Sequence, residues 1–269
     1  MSESSSPPND ALAHASEPVR VDSDLFRSRG SWRNEFECRI GNSFDGRITF
    51  EVGCFDAGFL CTIAARHPTM GFVGIDWKVK SLNEGASRVA AMGLKNVVLL
   101  RGRAQDLRQI FADGEVDEVW VFHPEPCDEP NQLKNRLIAE PFLGDVHAVL
   151  RPGGALVIKT DHPGYYQWVL GLLGLPEPAW FEAARQKKSV ENGTPRVRAR
   201  DLMRPADVPG PSSRIASQFE IAMTSADFWN DPAAMEHVQG RSFAGEKTLF
   251  ESKFVRKRLP IYYAELRRR

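Results

Sequence analysis

The 269-residue sequence contains no run of about 18 apolar residues, so it predicts no membrane-spanning helix. Its N-terminal stretch, MSESSSPPNDALAHASEP, has neither a basic start nor an apolar signal core, and it is rich in serine and proline. Chains of that composition bury too little apolar surface to fold, so we expect residues 1–30 to form a disordered tail. The lack of a signal sequence predicts a cytoplasmic protein.

The four cysteines form no C-x-x-C pair, and no histidine cluster with metal-ligand spacing lies near them. This pattern argues against a disulfide framework and against a zinc site. We therefore expect Cys38, Cys54, Cys61 and Cys127 to be buried, reduced thiols, and we expect no bound metal.

The sequence also lacks a net charge, with 35 basic and 35 acidic residues, but the charges are unevenly distributed. Residues 185–215 hold eight bases against three acids, and the tail from Lys253 holds seven bases against Glu265 alone. A polyanion could bind such segments. A solvated basic loop explains the same composition, so both interpretations stay open.

With 42% apolar residues, the chain can build the core of one α/β domain, which we expect over residues 31–269. The central strand–turn–helix of this domain is predicted in the stretch RITFEVGCFDAG at 47–58. Apolar and polar residues alternate over 48–52, which predicts a strand with Glu51 near its carboxyl end. Gly53 then permits a turn into a helix, and ligands of open α/β sheets bind beyond such strand ends.

A second strand, GFVGID at 71–76, ends in Asp76, 18 residues after Gly58. A carboxylate at this point can hold the two ribose hydroxyls of an adenosine. The fingerprint of a dinucleotide site is incomplete, however, because Phe55 stands where its middle glycine would be.

Further segments alternate between strand and helix patterns along the chain. Strands are predicted at 97–100, 118–122 and 155–160, and helices at 80–92, 104–111 and 131–150, the last of them bent or started afresh at Pro141. Such alternation predicts a parallel sheet with helices on both faces.

The motifs E-V-G, G-I-D and L-R-P-G-G follow one another in the order found in S-adenosylmethionine-dependent methyltransferases. Within that class, residues 48–269 resemble the tRNA (guanine-N7)-methyltransferase family, whose members read E-I-G-x-G-x-G, G-I-E, F-P-D-P-W, T-D and T-x-[FY]-E. The matching positions are Glu51-Val52-Gly53, Gly74-Ile75-Asp76, Pro124-Glu125-Pro126, Thr160-Asp161 and Thr248-Leu249-Phe250-Glu251. Together with strand-like segments at 218–224 and 260–268, the resemblance implies a Rossmann-like, seven-stranded, mostly parallel sheet whose last strand is antiparallel.

The resemblance implies an S-adenosylmethionine site and a place for a target guanine. The expected cofactor-binding residues are Glu51, Gly53, Asp76, Arg103, Ala104 and Asp106. The expected catalytic residues are Glu125 and Asp161, acting as orienters rather than as bases. The expected substrate-binding residues are Asp161, Thr248, Glu251, Lys134 and Arg136, with carboxylates accepting from the guanine N–H groups.

Three departures from the family pattern lie where cofactor and substrate would bind. Phe55 and Ala57 replace the second and third glycines, so we expect a crowded or displaced backbone there. Arg103 cannot accept a hydrogen bond from the adenine amino group, a task left to Asp106 or to a backbone carbonyl. The family's tryptophan and basic run become Cys-Asp-Glu-Pro-Asn-Gln at 127–132, which leaves Lys134 and Arg136 as the bases near that loop.

Three functions therefore remain open. The first is N7-methylation of guanine in tRNA, with the basic segment 185–215 taking over phosphate contacts. The second is N-methylation of a small purine-like heterocycle, and the third is a relative that binds cofactor or RNA without catalysis. The sequence does not indicate an oligomeric state.

Overall fold

The computed structural model describes residues 19–20, 22–186, 197 and 199–269. These residues build an eight-stranded sheet in the order β1-β4-β3-β2-β5-β6-β8-β7. Its strands are β1 Val19–Arg20, β2 Ile48–Val52, β3 Gly71–Asp76, β4 Val97–Arg101, β5 Val116–Phe122, β6 Leu150–Thr160, β7 Phe219–Ser225 and β8 Tyr262–Arg268.

Strands β1 to β6 pair in parallel, whereas β8 runs antiparallel to both of its neighbours, β6 and β7. The expectation of a mostly parallel, Rossmann-like sheet with an antiparallel last strand is confirmed. The strand number is eight rather than seven, because the two-residue β1 adds to the edge beside β4.

Residues 1–18, most of the segment expected to be disordered, lie outside the described residues. Residues 19–20 and 22–30 belong to the fold, since Arg20 is buried and its guanidinium lies 2.5 Å from Glu35 and 2.6 Å from the Ser28 hydroxyl. Burial lowers the pKa of Arg20 to about 10, although Glu35 opposes the shift. The folded region therefore begins before residue 31.

The helices lie between the strands, as the alternation predicts. They are α1 Trp32–Ile40, α2 Gly58–Arg66, α3 Val79–Ala91, α4 Leu107–Ile110, α5 Glu140–Val149, α6 Pro163–Leu173, α7 Ala179–Arg185, α8 Ser213–Gln218, α9 Pro232–His237 and α10 Leu249–Arg256. The predicted helix at 131–150 is a 3-10 turn, Leu133–Asn135, followed by α5. Pro141 lies in the first turn of α5, where its missing N–H leaves no hydrogen bond unmade.

The core lies on both faces of the sheet. Trp32 and Phe50 belong to the buried apolar cluster on one face, and Phe72 and Trp120 belong to the cluster on the other. Every residue of β2 is buried, as expected of a parallel strand covered on both sides.

Two of the four cysteines, Cys54 and Cys61, are buried as predicted, and burial raises the pKa of the Cys61 thiol to about 11. The prediction is wrong for Cys38, which is exposed, and Cys127 is half-buried. No helix in the described part of the chain is both long and apolar enough to cross a membrane.

The chain reverses its direction of progress across the sheet between β2 and β5. From β2 it proceeds through β3 to β4 on one side, and it then returns to β5 on the other side of β2. The carboxyl ends of β2 and β5 consequently border a crevice, the usual ligand position in open α/β sheets.

Candidate functional site

A cavity of about 470 Å³ opens at this crevice. Its walls include the ends of four neighbouring strands with the turns that follow them, at residues 51–56, 75–78, 102–105 and 121–125, and the start of α10 at 248–250. This volume suits a ligand of the size of a nucleoside with a side chain. The structure thus brings together segments that are far apart in the sequence.

The turn after β2 has a glycine-like backbone in spite of its two substitutions. Phe55 and Ala57 have φ values of 52° and 53°, in the left-handed region that glycine adopts without strain. The Ala57 methyl group fits because α3 carries Gly85 opposite, where a Cβ would lie 3.1 Å from the Ala57 Cβ. The two substitutions thus place side chains in a backbone region where they introduce local strain.

Asp76 joins the loops that follow β2 and β3. Its Oδ2 accepts the Phe55 N–H over 3.0 Å, and its Oδ1 accepts the Lys78 N–H over 2.9 Å. Each carboxylate oxygen has two lone pairs, so each can accept one more hydrogen bond from a ligand in the cavity. Asp76 is therefore fixed in orientation and still free to bind hydroxyl groups.

Glu51 is buried at the end of β2, and its Oε2 has no hydrogen-bond partner among the described residues. Burial, together with the nearby carboxylates Asp56, Asp76 and Glu251, raises the pKa of Glu51 to about 8. A ligand with an N–H donor or a positive charge would satisfy this group and favour its ionised form.

The turn after β4 differs from the expectation at one residue. Arg103 and Ala104 line the cavity, but Asp106 does not, and its carboxylate accepts the Arg103 N–H over 3.1 Å. Gln105, which the sequence analysis missed, lines the cavity with an amide that can both donate and accept. Its position inside the Arg103 to Asp106 turn was the signal available in the sequence.

The turn after β5 contributes Glu125 and a second residue that the sequence analysis missed, His123. The His123 Nδ1 lies 3.0 Å from the Asp161 Oδ1, and the His123 side chain is only 7% exposed. Asp161 itself is not among the residues that line the cavity, so it contacts the site through His123. A titratable side chain directly before Pro-Glu-Pro, where the family motif has phenylalanine, was the available signal.

Thr248 and Glu251 form the capping box at the start of α10. The Thr248 Oγ1 accepts the Glu251 N–H over 3.1 Å, and the Glu251 Oε2 accepts the Thr248 N–H over 2.8 Å. Glu251 is fully buried, and its Oε1 accepts from Lys159 over 3.0 Å and from the Trp229 indole over 3.1 Å.

Burial raises the pKa of Glu251, but Lys159 and then His123 lower it by more, so the pKa lies below its usual range. Thr248 reaches the cavity together with Leu249 and Phe250, whereas Glu251 does not. The geometry thus gives Glu251 a different task from the one expected of it, which is to hold α10 against the sheet.

Arg136, which was expected to bind substrate, is engaged inside the protein. Its guanidinium packs 5.2 Å from the ring centroids of both Tyr165 and Trp168, and it donates to the Pro126 and Gly164 carbonyls. Only 3% of the residue is exposed, which leaves Lys134 as the solvent-accessible base of this pair.

The acidic loop at 127–132 has a structural explanation. Asp128 lies 3.1 Å from the His162 Nε2 and 3.6 Å from Arg136. The loop is therefore fastened to the N-terminus of α6 through a carboxylate, with no contact that requires a basic run.

The basic segment 185–215 is only partly described, because Lys187, Lys188, Arg196 and Arg198 lie outside the described residues. Arg185 pairs with Glu177 at 2.7 Å and with Glu182 at 3.0 Å, and Arg204 pairs with Asp207 at 2.6 Å. These two arginines have their charge compensated within the protein.

A second basic surface starts where α10 leaves the cavity. Four exposed residues near the end of α10 form no ion pair with any other residue that the structure describes. We call them the α10 basic patch: Lys253, Arg256, Lys257 and Arg258. The first turn of the same helix carries Leu249 and Phe250 at the cavity mouth, so the patch is joined to the site by one element.

Comparison with known proteins identifies the family. The family model described as "Putative methyltransferase" matches residues 45–198. A tRNA (guanine-N(7)-)-methyltransferase from Christiangramia forsetii is 30% identical over 167 residues, which are 61% of this chain and 72% of that protein. One from Lactococcus lactis is 32% identical over 142 residues, 53% of this chain and 63% of that protein.

A bifunctional glycosyltransferase/methyltransferase from Fusobacterium nucleatum is 31% identical over 157 residues, 58% of this chain and 23% of that protein. The chain thus spans less than two thirds of the length of the Lactococcus and Fusobacterium relatives. Because the family match covers more than half of the chain, and because the identity reaches 30% over most of the Christiangramia protein, the chain belongs to the methyltransferase family that includes the tRNA (guanine-N7)-methyltransferases.

Proposed function

We propose that this protein is an S-adenosylmethionine-dependent methyltransferase that methylates N7 of guanine in tRNA, and that it acts in the cytoplasm. The observation that carries the proposal is the pair of carboxylates at the ends of adjacent strands, Glu51 and Asp76, in the wall of one cavity at the reversal of strand order. The relatives named above supply the choice of acceptor.

The cofactor would lie across the turns after β2, β3 and β4. Asp76 has free lone pairs for the ribose hydroxyls, and Glu51 would pair with the cationic part of the cofactor. Gln105 and the backbone of Arg103 and Ala104 supply the donors and acceptors that the adenine edge needs. In this arrangement the Glu51 Oε2 would gain the partner that it lacks. The Gln105 amide oxygen would accept the hydrogen bond from the adenine amino group that Arg103 cannot accept.

The reaction requires little acid or base catalysis. S-adenosylmethionine supplies an electrophilic methyl group on a sulfonium sulfur, and guanine N7 has a free lone pair and no hydrogen. The protein therefore has to align the two groups, which can contribute about 7–11 kcal/mol in well-oriented systems. Glu125, in the cavity wall, would also stabilise the positive charge that develops on the purine.

The α10 basic patch is the surface that we assign to the RNA phosphates. Its four cations are exposed and have no ion-pair partner in the described part of the chain, whereas Arg136 is buried and Arg185 and Arg204 are paired. Phosphate contacts supply most of the non-specific affinity of a protein for RNA. Phosphates on the patch would bring the neighbouring nucleotide to Phe250, at the start of the same helix.

A small planar heterocycle is the second candidate acceptor, because several exposed apolar side chains surround the cavity mouth. Phe55, Trp77, Leu249 and Phe250 all line the cavity and are between 36% and 68% exposed. Exposed apolar groups around a cavity mark binding sites, and aromatic faces stack on flat rings of any charge. A relative without catalysis would have the same cavity, so turnover has to be measured.

Incubation with S-adenosylmethionine labelled on its methyl group, together with either bulk tRNA or a small-molecule cell extract, tests these functions. We expect label in the tRNA, and after digestion in N7-methylguanosine. Label in the small-molecule fraction alone would overturn the tRNA proposal in favour of the heterocycle. Cofactor binding by calorimetry without any transfer would identify a non-catalytic relative.

A further inference from the structure

His123 and Asp161 form a partly buried pair for which methylation of guanine N7 has no use. The Nδ1···Oδ1 distance is 3.0 Å, and the imidazole is 93% buried. Guanine N7 carries no hydrogen, so its attack on the methyl group requires no general base. The pair therefore calls for a separate explanation.

The pairing fixes the tautomer of the imidazole. An ionised carboxylate only accepts hydrogen bonds, so Asp161 requires a hydrogen on the His123 Nδ1 and leaves a lone pair on Nε2. That Nε2 is buried and has no hydrogen-bond partner among the residues described. The same orientation of an imidazole by a carboxylate prepares the general base of hydrolytic triads.

The backbone holds the ring in this position. His123 has a φ of 53°, and its N–H donates to the Lys159 carbonyl over 2.8 Å. Non-glycine residues in the left-handed region are strained, and such residues cluster at functional sites.

The ring lies between the cavity and α10. The Phe250 and Phe254 rings each lie 6.0 Å from it, centroid to centroid, and Phe250 is 41% exposed at the cavity mouth. A planar acceptor that takes the place of the Phe250 ring would therefore come next to the imidazole. The charged groups on the neighbouring elements are Lys159 on β6, the paired Asp161 after β6, Glu251 and Lys253 on α10, and Glu125 two residues further along the same turn.

We propose that the His123–Asp161 pair is a general base that lets this cavity methylate a planar heterocycle whose nucleophilic ring nitrogen carries a hydrogen. The nitrogen forms the N–CH3 bond, and the electrons of the broken S–CH3 bond remain on sulfur as a neutral thioether. The proton of the N–H group passes to the His123 Nε2, and the resulting imidazolium pairs with Asp161 until it releases the proton to solvent. This inference rests on the proposed methyl transfer in the cavity and does not require RNA as acceptor.

The test compares acceptors with and without a ring N–H. The probes are xanthine, hypoxanthine and benzimidazole, with 1,3,7-trimethylxanthine and N-methylbenzimidazole as controls that lack the hydrogen, and bulk tRNA in parallel. His123→Asn is the main variant, because asparagine tolerates a positive φ but cannot act as a base. Asp161→Asn is the second variant, since it removes the carboxylate that fixes the tautomer.

We expect methylation of at least one N–H probe. Any transfer to a control, whose free ring lone pair needs no base, as at guanine N7, should depend far less on His123. His123→Asn should lower kcat for that probe by about a hundredfold or more, the range typical of general bases. The fold loss of transfer to tRNA in the same variant should be at least tenfold smaller than the fold loss for the N–H probe. In the parent protein kcat for the N–H probe should rise with pH through one ionisation and then level off, and this step should be missing in His123→Asn.

A readout without turnover is the NMR spectrum of the His123 imidazole in the cofactor-free protein. We expect its Nε2 signal to shift on addition of the N–H probe and to stay in place with the methylated control. In Asp161→Asn the probe should shift the signal less, and kcat should fall.

Two results would overturn the inference: no methylation of any N–H probe by a protein that methylates tRNA, or an N–H turnover in His123→Asn within fivefold of the parent with the same pH profile. Transfer to an N–H probe but not to tRNA would instead contradict the tRNA proposal and support this inference. Cofactor affinity and thermal unfolding of both variants verify that each is folded.

Discussion

Lys159 donates a hydrogen bond to Glu251 over 3.0 Å, and both side chains are fully buried. The pair joins β6 to the first turn of α10, which carries Thr248 and Phe250 into the cavity wall. The Lys159 ammonium also lies within 5.2 Å of the ring centroids of Phe122, Phe228, Trp229 and Phe243. One ion pair in an aromatic box thus holds a wall of the candidate active site.

Glu251→Gln should destabilise the fold by about 3–5 kcal/mol, because it leaves the Lys159 ammonium buried without a counter-charge. Urea unfolding measures the loss. The double variant Lys159→Met, Glu251→Leu should recover most of it, since it removes both charges at similar volume. A single variant within about 1 kcal/mol of the parent would contradict the structural role given to Glu251.

Glu51 should make the stability of the ligand-free protein depend on pH. Its pKa is raised from 4.5 to about 8 in the fold, so the folded state binds the proton more tightly. The free energy of unfolding should therefore fall as the pH rises between these two values, by up to about 1.4 kcal/mol for each pH unit.

Glu51→Gln should remove this part of the pH dependence and be more stable than the parent at pH 8. Urea unfolding of both proteins at pH 5, 6.5 and 8 gives the comparison. Parallel curves for the two proteins would mean that Glu51 is ionised in the fold.

Asp76→Asn should weaken S-adenosylmethionine binding by about ten- to over a hundredfold, or roughly 1.5–3 kcal/mol for the loss of a charged acceptor. The control is Asp113→Asn, an exposed carboxylate paired with Arg108 and absent from the cavity wall. Calorimetric titration reads out both. Equal affinity in the Asp76 variant and the parent would refute the ribose assignment.

Neutralising the α10 basic patch should weaken tRNA binding and flatten its salt dependence. For Lys253→Gln, Arg256→Gln, Lys257→Gln we expect the slope of log affinity against log salt to shrink by about 0.9 for each duplex phosphate that the variant no longer neutralises, or about 0.7 on single strands. Filter binding at several salt concentrations supplies the slopes.

The matched control removes three cations that are already paired: Arg47 with Asp45, Arg108 with Asp113 and Arg204 with Asp207. Arg47→Gln, Arg108→Gln, Arg204→Gln should change the salt slope much less. An equal effect of the two triple variants would show that net charge alone, and no particular surface, attracts the RNA. The role predicted for segment 185–215 stays a prediction, since four of its bases lie outside the described residues.

Phe55→Gly should be more stable than Phe55→Ala by about 1 kcal/mol. Both variants remove the ring, but only alanine keeps a Cβ in the left-handed backbone at φ 52°. Urea unfolding of the pair isolates the backbone contribution, because neither variant has a ring to pack against Phe250. Equal stability, or the reverse order, would mean that the turn does not have this backbone in solution.

Much of the fold follows from local patterns. The alternation of strand and helix signals predicts that β2 to β6 run parallel. Short apolar strands joined by amphipathic helices have one favourable arrangement, a parallel sheet with helices on both faces. The two short motifs E-V-G and G-I-D likewise identify the strand ends at which Glu51 and Asp76 meet. Strand β1 was not predicted, because two residues are too few to show the alternating hydrophobic pattern of a strand. Only their pairing with β4 makes them a strand.

The sequence by itself determined which acidic residues stand at the ends of strands, since position along a strand is a local property. The tertiary structure alone decided which polar side chains are free to meet a ligand. Glu251 pairs with Lys159, 92 residues away, and Arg136 packs on two rings of α6 and donates to the Gly164 and Pro126 carbonyls. The Asp161 carboxylate fixes the tautomer of His123 and leaves a lone pair on its Nε2. In each case the availability of the group depends on partners distant in the chain. A buried charge must be paired, and no local sequence pattern identifies its partner.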